Sequence, residues 1–483
     1  MTKYNTWRKA SWMLVFTVNV VFGTKTYVMA QTTAERVDAA VQQAMTSQNV
    51  PGLSVAIVKN GTIAFSKGYG LADRENNIAV TPQTRFAIAS VSKTMTALAL
   101  MQLVEQGSVR LDADVNTYLP FQVRNPNFPA TPITVQMLMT HTSSLNDGPN
   151  LFSDFVVSGD SPISLADFMR RSVVSTGDLF GKSAEFSTKA PGTEHKYTNM
   201  NTALMGYLVE VVARRPFNQY CNDRIFTPLC MNATRWFLSE FDSTTVARPY
   251  SKSGTTLIRR PYTGFPDYPD GQIRTNILDM SKYLWSLMNG GRSLTGSSAV
   301  VSPETLRRTL SPVLPNDQMG LHFFYDTQTR DTVWGHSGGL DDATAEMFFS
   351  PKDSIGVVFM ANTSMTSRAS TTLWNALIEI AHGIAPNPRN PVQCTLTSVR
   401  SQPSIDAASV EVSPNPASDA LRVNCTATGV SVRMTDVLGN TVFQQENVST
   451  PLQVSLSGLV RGSYYVVVLR EGSVIATKCV VKM

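Results

Sequence analysis

The chain has 483 residues, with 41 Lys+Arg against 36 Asp+Glu, 42% hydrophobic residues and 16% charged ones. That length suits one large domain plus a small module as well as two or three average domains, and it buries a core without disulfide or metal support. The apolar content and modest charge exclude wholesale disorder. No basic stripe with interleaved aromatics is present, so no nucleic-acid partner is expected.

The mild basicity is concentrated at the start. Lys3, Arg8, Lys9 and Lys25 fall within residues 1–30, which hold no acid. After Arg8-Lys9 an apolar run extends from Ala10 to Gly23, interrupted by Thr17 and Asn19. It is too short to span a bilayer, which takes ~20 apolar residues. Val28-Met29-Ala30 then has the small-residue spacing of a signal-peptidase site. Residues 1–30 therefore read as a signal peptide, with Gln31 as the first mature residue. The excess positive charge belongs to an export address and says nothing for an acidic partner. No later run is long enough for a transmembrane anchor.

Thr32-Thr33-Ala34-Glu35 is a capping box ahead of a helix carrying Val37, Val41 and Met45. Two β-rich runs follow, Leu53–Lys59 and Thr62–Tyr69, separated by Asn60-Gly61. Asn-Gly between such runs predicts a hairpin, because a type I′ turn needs positive φ at both positions. Residues 90–310 read as mostly helical, with polar loops at 143–163 and 251–275. Strand character returns at Glu346–Phe349 and Ile355–Met360 around the Pro351-Lys352-Asp353 turn, and a helix over Ser370–Ile384 follows. Strands at both ends with helices between predict an α/β (α+β) fold: one antiparallel sheet flanked by helices, with a mostly helical subdomain inserted.

Pro386, Pro388, Pro391 and Pro403 among polar residues mark 386–408 as a linker. From 409 to 483 polar and β-branched residues alternate over Ala420–Asn424, Ser431–Thr435, Val442–Gln444, Tyr464–Leu469 and Ala476–Val481. Turn signals at Asn415-Pro416, Gly439-Asn440 and Arg461-Gly462 separate these runs, which predicts a small all-β sandwich. Cys221, Cys230, Cys394, Cys425 and Cys479 leave their pairing open. The five histidines (141, 195, 322, 336 and 382) are scattered, and CxxC is absent, so neither metal nor cofactor is expected.

Three short segments carry chemistry. Ser90-Val91-Ser92-Lys93 opens an apolar helix from Thr94 to Val104, with Ser90 placed to cap it and Lys93 one turn along the same face. Partial desolvation there lowers a lysine pKa, so that Lys93 can take the serine proton, while the helix dipole helps the developing anion. Tyr197-Thr198-Asn199 supplies a general acid or base, plus an amide that can orient Lys93 or a substrate carbonyl. Trp334-Gly335-His336-Ser337-Gly338-Gly339 offers backbone N–H groups close to a ligand. Each segment alone is a common string; it is their order that is informative.

In that order and spacing they resemble the serine β-lactamase and penicillin-binding protein superfamily, whose Ser-x-x-Lys motif is a mechanistic signature. The tyrosine variant points to the class C β-lactamase, D-aminopeptidase and esterase branch. Leu111-Asp112…Tyr118-Leu119-Pro120, Leu138-Met139-Thr140-His141-Thr142-Ser143 and Ile225-Phe226-Thr227-Pro228-Leu229 extend the likeness over about residues 33–385. The resemblance implies a serine hydrolase domain over 31–385 acting on a small-molecule or peptide substrate. Ser90 would be the acylated nucleophile and Lys93 its proton acceptor; Tyr197 would share base duty and activate the deacylating water, and Asn199 would position Lys93 and substrate. The N–H groups of Ser90 and Gly339 would form the oxyanion hole, with Ser337 and Gly338 on the same substrate-binding strand. His336 would stand where many members have lysine, replacing a fixed cation for a substrate carboxylate with a group that titrates near neutral pH. Ser144 and Cys230 would replace glycines of the family pattern as structural changes. A non-catalytic penicillin or cell-wall ligand sensor of the same fold is the competing reading. It calls for a missing Lys93, Tyr197 or glycine loop, and all three are present.

Val412-Ser413-Pro414-Asn415-Pro416, Asp436-Val437-Leu438-Gly439, Leu459-Val460-Arg461-Gly462-Ser463-Tyr464 and Lys478-Cys479-Val480-Val481-Lys482 resemble the type IX secretion C-terminal sorting domain. That likeness implies a partner in the type IX secretion machinery, and display at the cell surface or release from it.

Overall fold

A computed structural model of the chain describes residues 32–296, 299–327, 331–394, 410–414, 417–425, 428–436, 441–470 and 473–482. The signal peptide expected over 1–30 and the turns at Asn415-Pro416 and Gly439-Asn440 lie outside them. The chain divides after Cys394 into two compact units.

The first unit is organised on a seven-stranded sheet. Across it lie Phe324–Asp326, Val333–Leu340, Ala343–Ser350, Ile355–Ala361, β1 (Gly52–Lys59), β2 (Thr62–Asp73) and Ile78–Ala79. Every neighbouring pair is antiparallel. The sheet is closed by strands from the two ends of the unit, since Leu53 of β1 faces Ala361 and Lys59 faces Ile355. Asn60 (φ 48°) and Gly61 (φ 77°) make the β1–β2 turn with positive φ at both positions. Ahead of them α1 (Thr33–Gln48) starts with the expected capping box, Glu35 N–H donating to Thr32 Oγ1 and Thr32 N–H to the Glu35 carboxylate.

Successive side chains of a strand point to opposite faces, and the two faces here bury different partners. Val55 and Ile57 of β1 pack with Val37 and Val41 of α1 and Leu373 and Leu377 of the helix Ser367–Gly383. Ala56 and Val58 face the other way, into the larger core with Met95, Leu98 and Leu204. The helical region between the strands supplies that second layer. Its central helix is α2 (Ser92–Glu105), in which every residue from Ser92 to Leu103 is buried. An all-round apolar helix must be covered on all sides, and that fixes the chemistry-bearing turn at its N-terminus.

Two stretches expected as loops hold short pieces of structure. Within 143–163, Leu145–Asp147 pairs with Ala184–Phe186, and Leu151–Asp154 is helical. Within 251–275, Thr256–Arg259 forms a hairpin with Tyr250–Ser253. Such segments are too short for a hydrophobic period to register in sequence. The proline-rich stretch after 385 begins as part of this unit. Ile63 N–H donates to Asn390 O and Val392 N–H to Gly61 O, Val392 is buried, and Cys394 is disulfide-bonded to Cys230. Cys221 and Cys425 are buried free thiols. Among the described residues no helix is long and apolar enough to cross a membrane.

The second unit holds two antiparallel sheets. One contains Val410–Ser413, Ala420–Cys425 and Leu452–Ser455; the other contains Thr441–Val448, Val430–Asp436, Gly462–Arg470 and Ser473–Lys482. Alternate residues such as Leu421, Val423, Val432, Met434, Val466 and Val468 form its core. That is the sandwich the alternation predicts, with Val410–Ser413 and Leu452–Ser455 as strands the sequence pattern did not mark.

Candidate active site

Ser90 lies in a single 3-10 turn, Ala89–Val91, that runs directly into α2. It does not cap the helix: Val91 holds that position, without a side-chain cap bond. The Ser90 hydroxyl is therefore left for other work. Ala89 is held at φ 44°, a left-handed conformation that costs a non-glycine residue ~1 kcal/mol and turns the chain sharply before the serine.

Lys93 is fully buried. Its Nζ donates to Ser90 Oγ (3.1 Å), Asn199 Oδ1 (2.7 Å) and the Asp270 carbonyl (2.7 Å). Three donors meet three acceptors, which is the full complement of an ammonium group. The sequence suggests a lysine with lowered pKa, and the structure corrects this. Burial pushes the pKa down, but Tyr197, Asp270 and Asp147 together push it up further, so the ammonium is held above the ordinary lysine range.

Tyr197 stands beside this group, with Lys93 Nζ 5.3 Å from its ring centroid, and is 39% exposed. Asn199 begins the helix Asn199–Ala213. Ser90, Tyr197, Asn199 and Gly339 all line one cavity of about 700 Å³, together with Phe152 and Asp270.

The strand Val333–Leu340 passes against the turn that carries Ser90. A Cβ at Gly338 would lie 2.3 Å from Ile88 O and 3.2 Å from the Ser90 nitrogen, so only glycine allows that approach. Gly339 has open space where its side chain would be, on the cavity side. Ser337 is exposed on the same strand, facing Glu346 of the next one. Burial raises the Glu346 pKa to about 7.

His336 departs from expectation. It is 4% exposed, and burial, reinforced by the nearby Lys93 charge, lowers its pKa to about 3. Its Nδ1 bonds Ser337 O at 2.5 Å, and its buried Nε2 has no partner. It is a neutral imidazole, neither a fixed cation nor a group titrating near pH 7.

Four of the five scattered histidines, all but His382, also prove to be neighbours. His141 lies 4.7 Å from the Tyr197 ring, 4.4 Å from His322 and 6.2 Å from His195, while His336 lies 6.0 Å from Tyr197. Burial lowers His141 well below the usual range and His322 to about 3. The neutral rings of His141 and His336 thus pack against the tyrosine without adding charge next to Lys93. Among the described residues no His, Cys, Asp and Glu cluster is arranged to hold a metal ion. Sequence reading also missed Asp267 and Asp270, buried carboxyls on the cavity wall. Burial and the partner carboxyl raise Asp267 well above the usual range; burial raises Asp270 to about 6 against the pull of Lys93. No motif marked either one.

Residues 37–381 match the Beta-lactamase family over most of the chain. The chain belongs to that family. Residues 411–482 match the secretion system C-terminal sorting domain of the type IX system. Protein flp of Staphylococcus aureus is 27% identical over 329 residues, covering 68% of this chain and 63% of its own length. Unguisins hydrolase ungD' of Aspergillus campestris is 27% identical over 375 residues, covering 72% of this chain and 65% of its own length. The chain thus spans under two thirds of the curated relatives it matches. A class C β-lactamase from Rhodobacter sphaeroides superposes with a TM-score of 0.55 at 20% identity, over 71% of this chain and 99% of that one, which establishes the shared fold. Ser144 and Cys230, expected from the resemblance to replace glycines, have a glycine-like backbone, with φ 65° at Ser144 and 53° at Cys230. Each side chain is used: Ser144 Oγ accepts from Asn125 Nδ2, and Cys230 forms the disulfide.

Proposed function

We propose that this β-lactamase-family chain is an exported serine hydrolase that forms an acyl-enzyme at Ser90. The observation that carries the reading is the Lys93 ammonium, which bridges Ser90 Oγ and Asn199 Oδ1 beside a cavity that also exposes Tyr197 and Gly339. In this reading Ser90 Oγ attacks a carbonyl, and Tyr197, next to the ammonium, takes the serine proton and returns it to the leaving group. The Ser90 and Gly339 N–H groups hold the tetrahedral oxyanion, worth about 3 kcal/mol per donor in comparable sites. Water then enters by the same route and releases the acid. Lys93 orients and stabilises, and the base role falls to Tyr197, because Tyr197, Asp270 and Asp147 together favour the charged form of Lys93 over the pull of burial.

The substrate is an amide or an ester: a β-lactam, a D-amino-acid peptide or a carboxylic ester. Neutral His336 in place of a lysine removes the cation that would pair with a substrate carboxylate, which favours esters and amides without one. Export uses residues 1–30 and the sorting module 409–483.

Hydrolysis of a p-nitrophenyl ester, a D-Ala-D-Ala peptide and a cephalosporin, measured side by side on mature protein, tests this. The ester is expected to turn over fastest and Ser90→Ala to abolish turnover. Equal rates for wild type and Ser90→Ala on all three would overturn the reading.

A further inference from the structure

We infer that Asp147 is a positioning residue: through Asn199 it fixes the amide orientation that presents Oδ1 to the Lys93 ammonium beside Ser90. The inference rests on the hydrolase reading above and adds a residue to it.

Asp147 ends the strand Leu145–Asp147, where pairing with Ala184 anchors it. Its carboxylate sits at the start of the helix Asn199–Ala213 and accepts four hydrogen bonds. Thr198 Oγ1 (2.5 Å) and Met200 N–H (2.9 Å) donate to Oδ1; Asn199 N–H (3.1 Å) and Asn199 Nδ2 (3.0 Å) donate to Oδ2. Thr198 holds the N-cap position but makes no cap bond of its own, because its hydroxyl donates to Asp147 instead. The cap of this helix therefore comes from a residue 51 positions upstream.

The fourth bond goes beyond capping. A side-chain amide has a donor end and an acceptor end, whereas a carboxylate only accepts. Asp147 thus forces the Asn199 NH₂ toward itself and Oδ1 toward Lys93, 2.7 Å from Nζ. Asn199 Oδ1 and the Asp270 carbonyl can only accept, so both take protons from Nζ, and the Ser90 hydroxyl completes the set at 3.1 Å. A flipped amide would set its NH₂ against the Nζ protons, and Asp147 forbids the flip. Asp147 is not among the residues lining the cavity, so it acts through Asn199 rather than on substrate. Its negative charge also favours the ammonium form.

The test measures the rate at which a fluorophosphonate labels Ser90 in the full mature chain, across pH, for wild type, Asp147→Asn, Asn199→Ala and the double variant. Asp147→Asn can keep accepting the backbone N–H groups but loses the charge and presents an NH₂ to Asn199. It is expected to label about tenfold more slowly or worse at neutral pH. The alkaline fall-off in its labelling should move to lower pH, since Lys93 gives up its proton more easily without the neighbouring charge. In the Asn199→Ala background the same change should cost under about twofold, because the residue through which it acts is gone. Two results overturn the inference: an unchanged rate and pH profile in Asp147→Asn, or the same loss in both backgrounds. Should Asp147→Asn fail to fold by circular dichroism, Asp147→Ser, which keeps a capping oxygen, is read by the same criteria. Wild-type protein that does not label at all removes the hydrolase reading itself, and this inference with it.

Discussion

Two basic groups are buried at the same site, one at the head of α2 and one on the strand Val333–Leu340, and they end in opposite states. Lys93 keeps its charge and His336 loses it. Burial penalises both cations equally in kind. The difference lies in what surrounds them. Lys93 is met by a hydroxyl, an amide oxygen and a carbonyl, with Tyr197, Asp270 and Asp147 adding favourable potential. His336 gives one N–H to Ser337 O, has no partner at Nε2, and feels the Lys93 charge as a repulsion. Depth therefore does not decide charge in this site; the titratable groups around each cation do. The consequence is a division of labour, with a cation beside Ser90 and the neutral rings of His141 and His336 against the tyrosine.

Removing the charged member has the largest effect. Lys93→Met keeps the buried stem and deletes the donor, and Ser90 labelling by a fluorophosphonate is expected to slow by ~10³-fold. Labelling that survives within a few-fold would show that the ammonium is not needed. Charging the neutral member comes next. His336→Lys puts a second cation in a site whose acceptors are already used, and should cost about 3 kcal/mol or more, read from the urea midpoint. Wild-type stability in that variant, with faster penicillin labelling, would show a latent carboxylate site instead. Gly338→Ala tests the contact between the two regions. Its Cβ would meet Ile88 O at 2.3 Å, and an expected loss of ~1–3 kcal/mol should come with slower labelling as the turn is displaced.

The smallest effect is on pH dependence. His336 and His322 fold as neutral groups with pKa values of about 3, against an ordinary value of 6.5 in the unfolded chain. A histidine with a depressed folded pKa contributes stability that is fully present above the unfolded pKa. That stability is lost as pH falls from 6.5 toward 3, because only the unfolded chain takes up the proton. The loss should be about 1 kcal/mol per histidine between pH 6.5 and 5.5, and His336→Gln should remove one share of it. Glu346 and Asp270 take up protons in the fold over the same interval and offset the loss, so the difference between wild type and His336→Gln is the readout, and the same slope in both would mean that this ring is charged in the fold.

Legibility in the sequence followed distance along the chain. The Thr32–Glu35 capping box, the Asn60-Gly61 turn and the alternation of the second unit are local, and the sequence marks them where the structure has them. Ser90 and Lys93 are also one turn apart, so their meeting could be read directly. Their charge state could not. It depends on Tyr197, Asp270 and Asp147, all remote along the chain, which no local pattern encodes. Asp147 sat in a stretch that reads as polar loop, because a three-residue strand has no period. The histidines looked dispersed because their neighbourhood is made by folding: His141, His322 and His336 come from three different elements. The Cys230–Cys394 bridge closes a span of 164 residues, beyond the reach of any spacing argument.

The central claim is that Ser90, served by a charged Lys93, is acylated. Its most direct test is intact mass followed by peptide mapping of mature protein after reaction with a fluorophosphonate. A single adduct is expected on the peptide carrying Ser90, absent in Ser90→Ala. Folded wild-type protein with unchanged mass, or an adduct on any other residue, would contradict it.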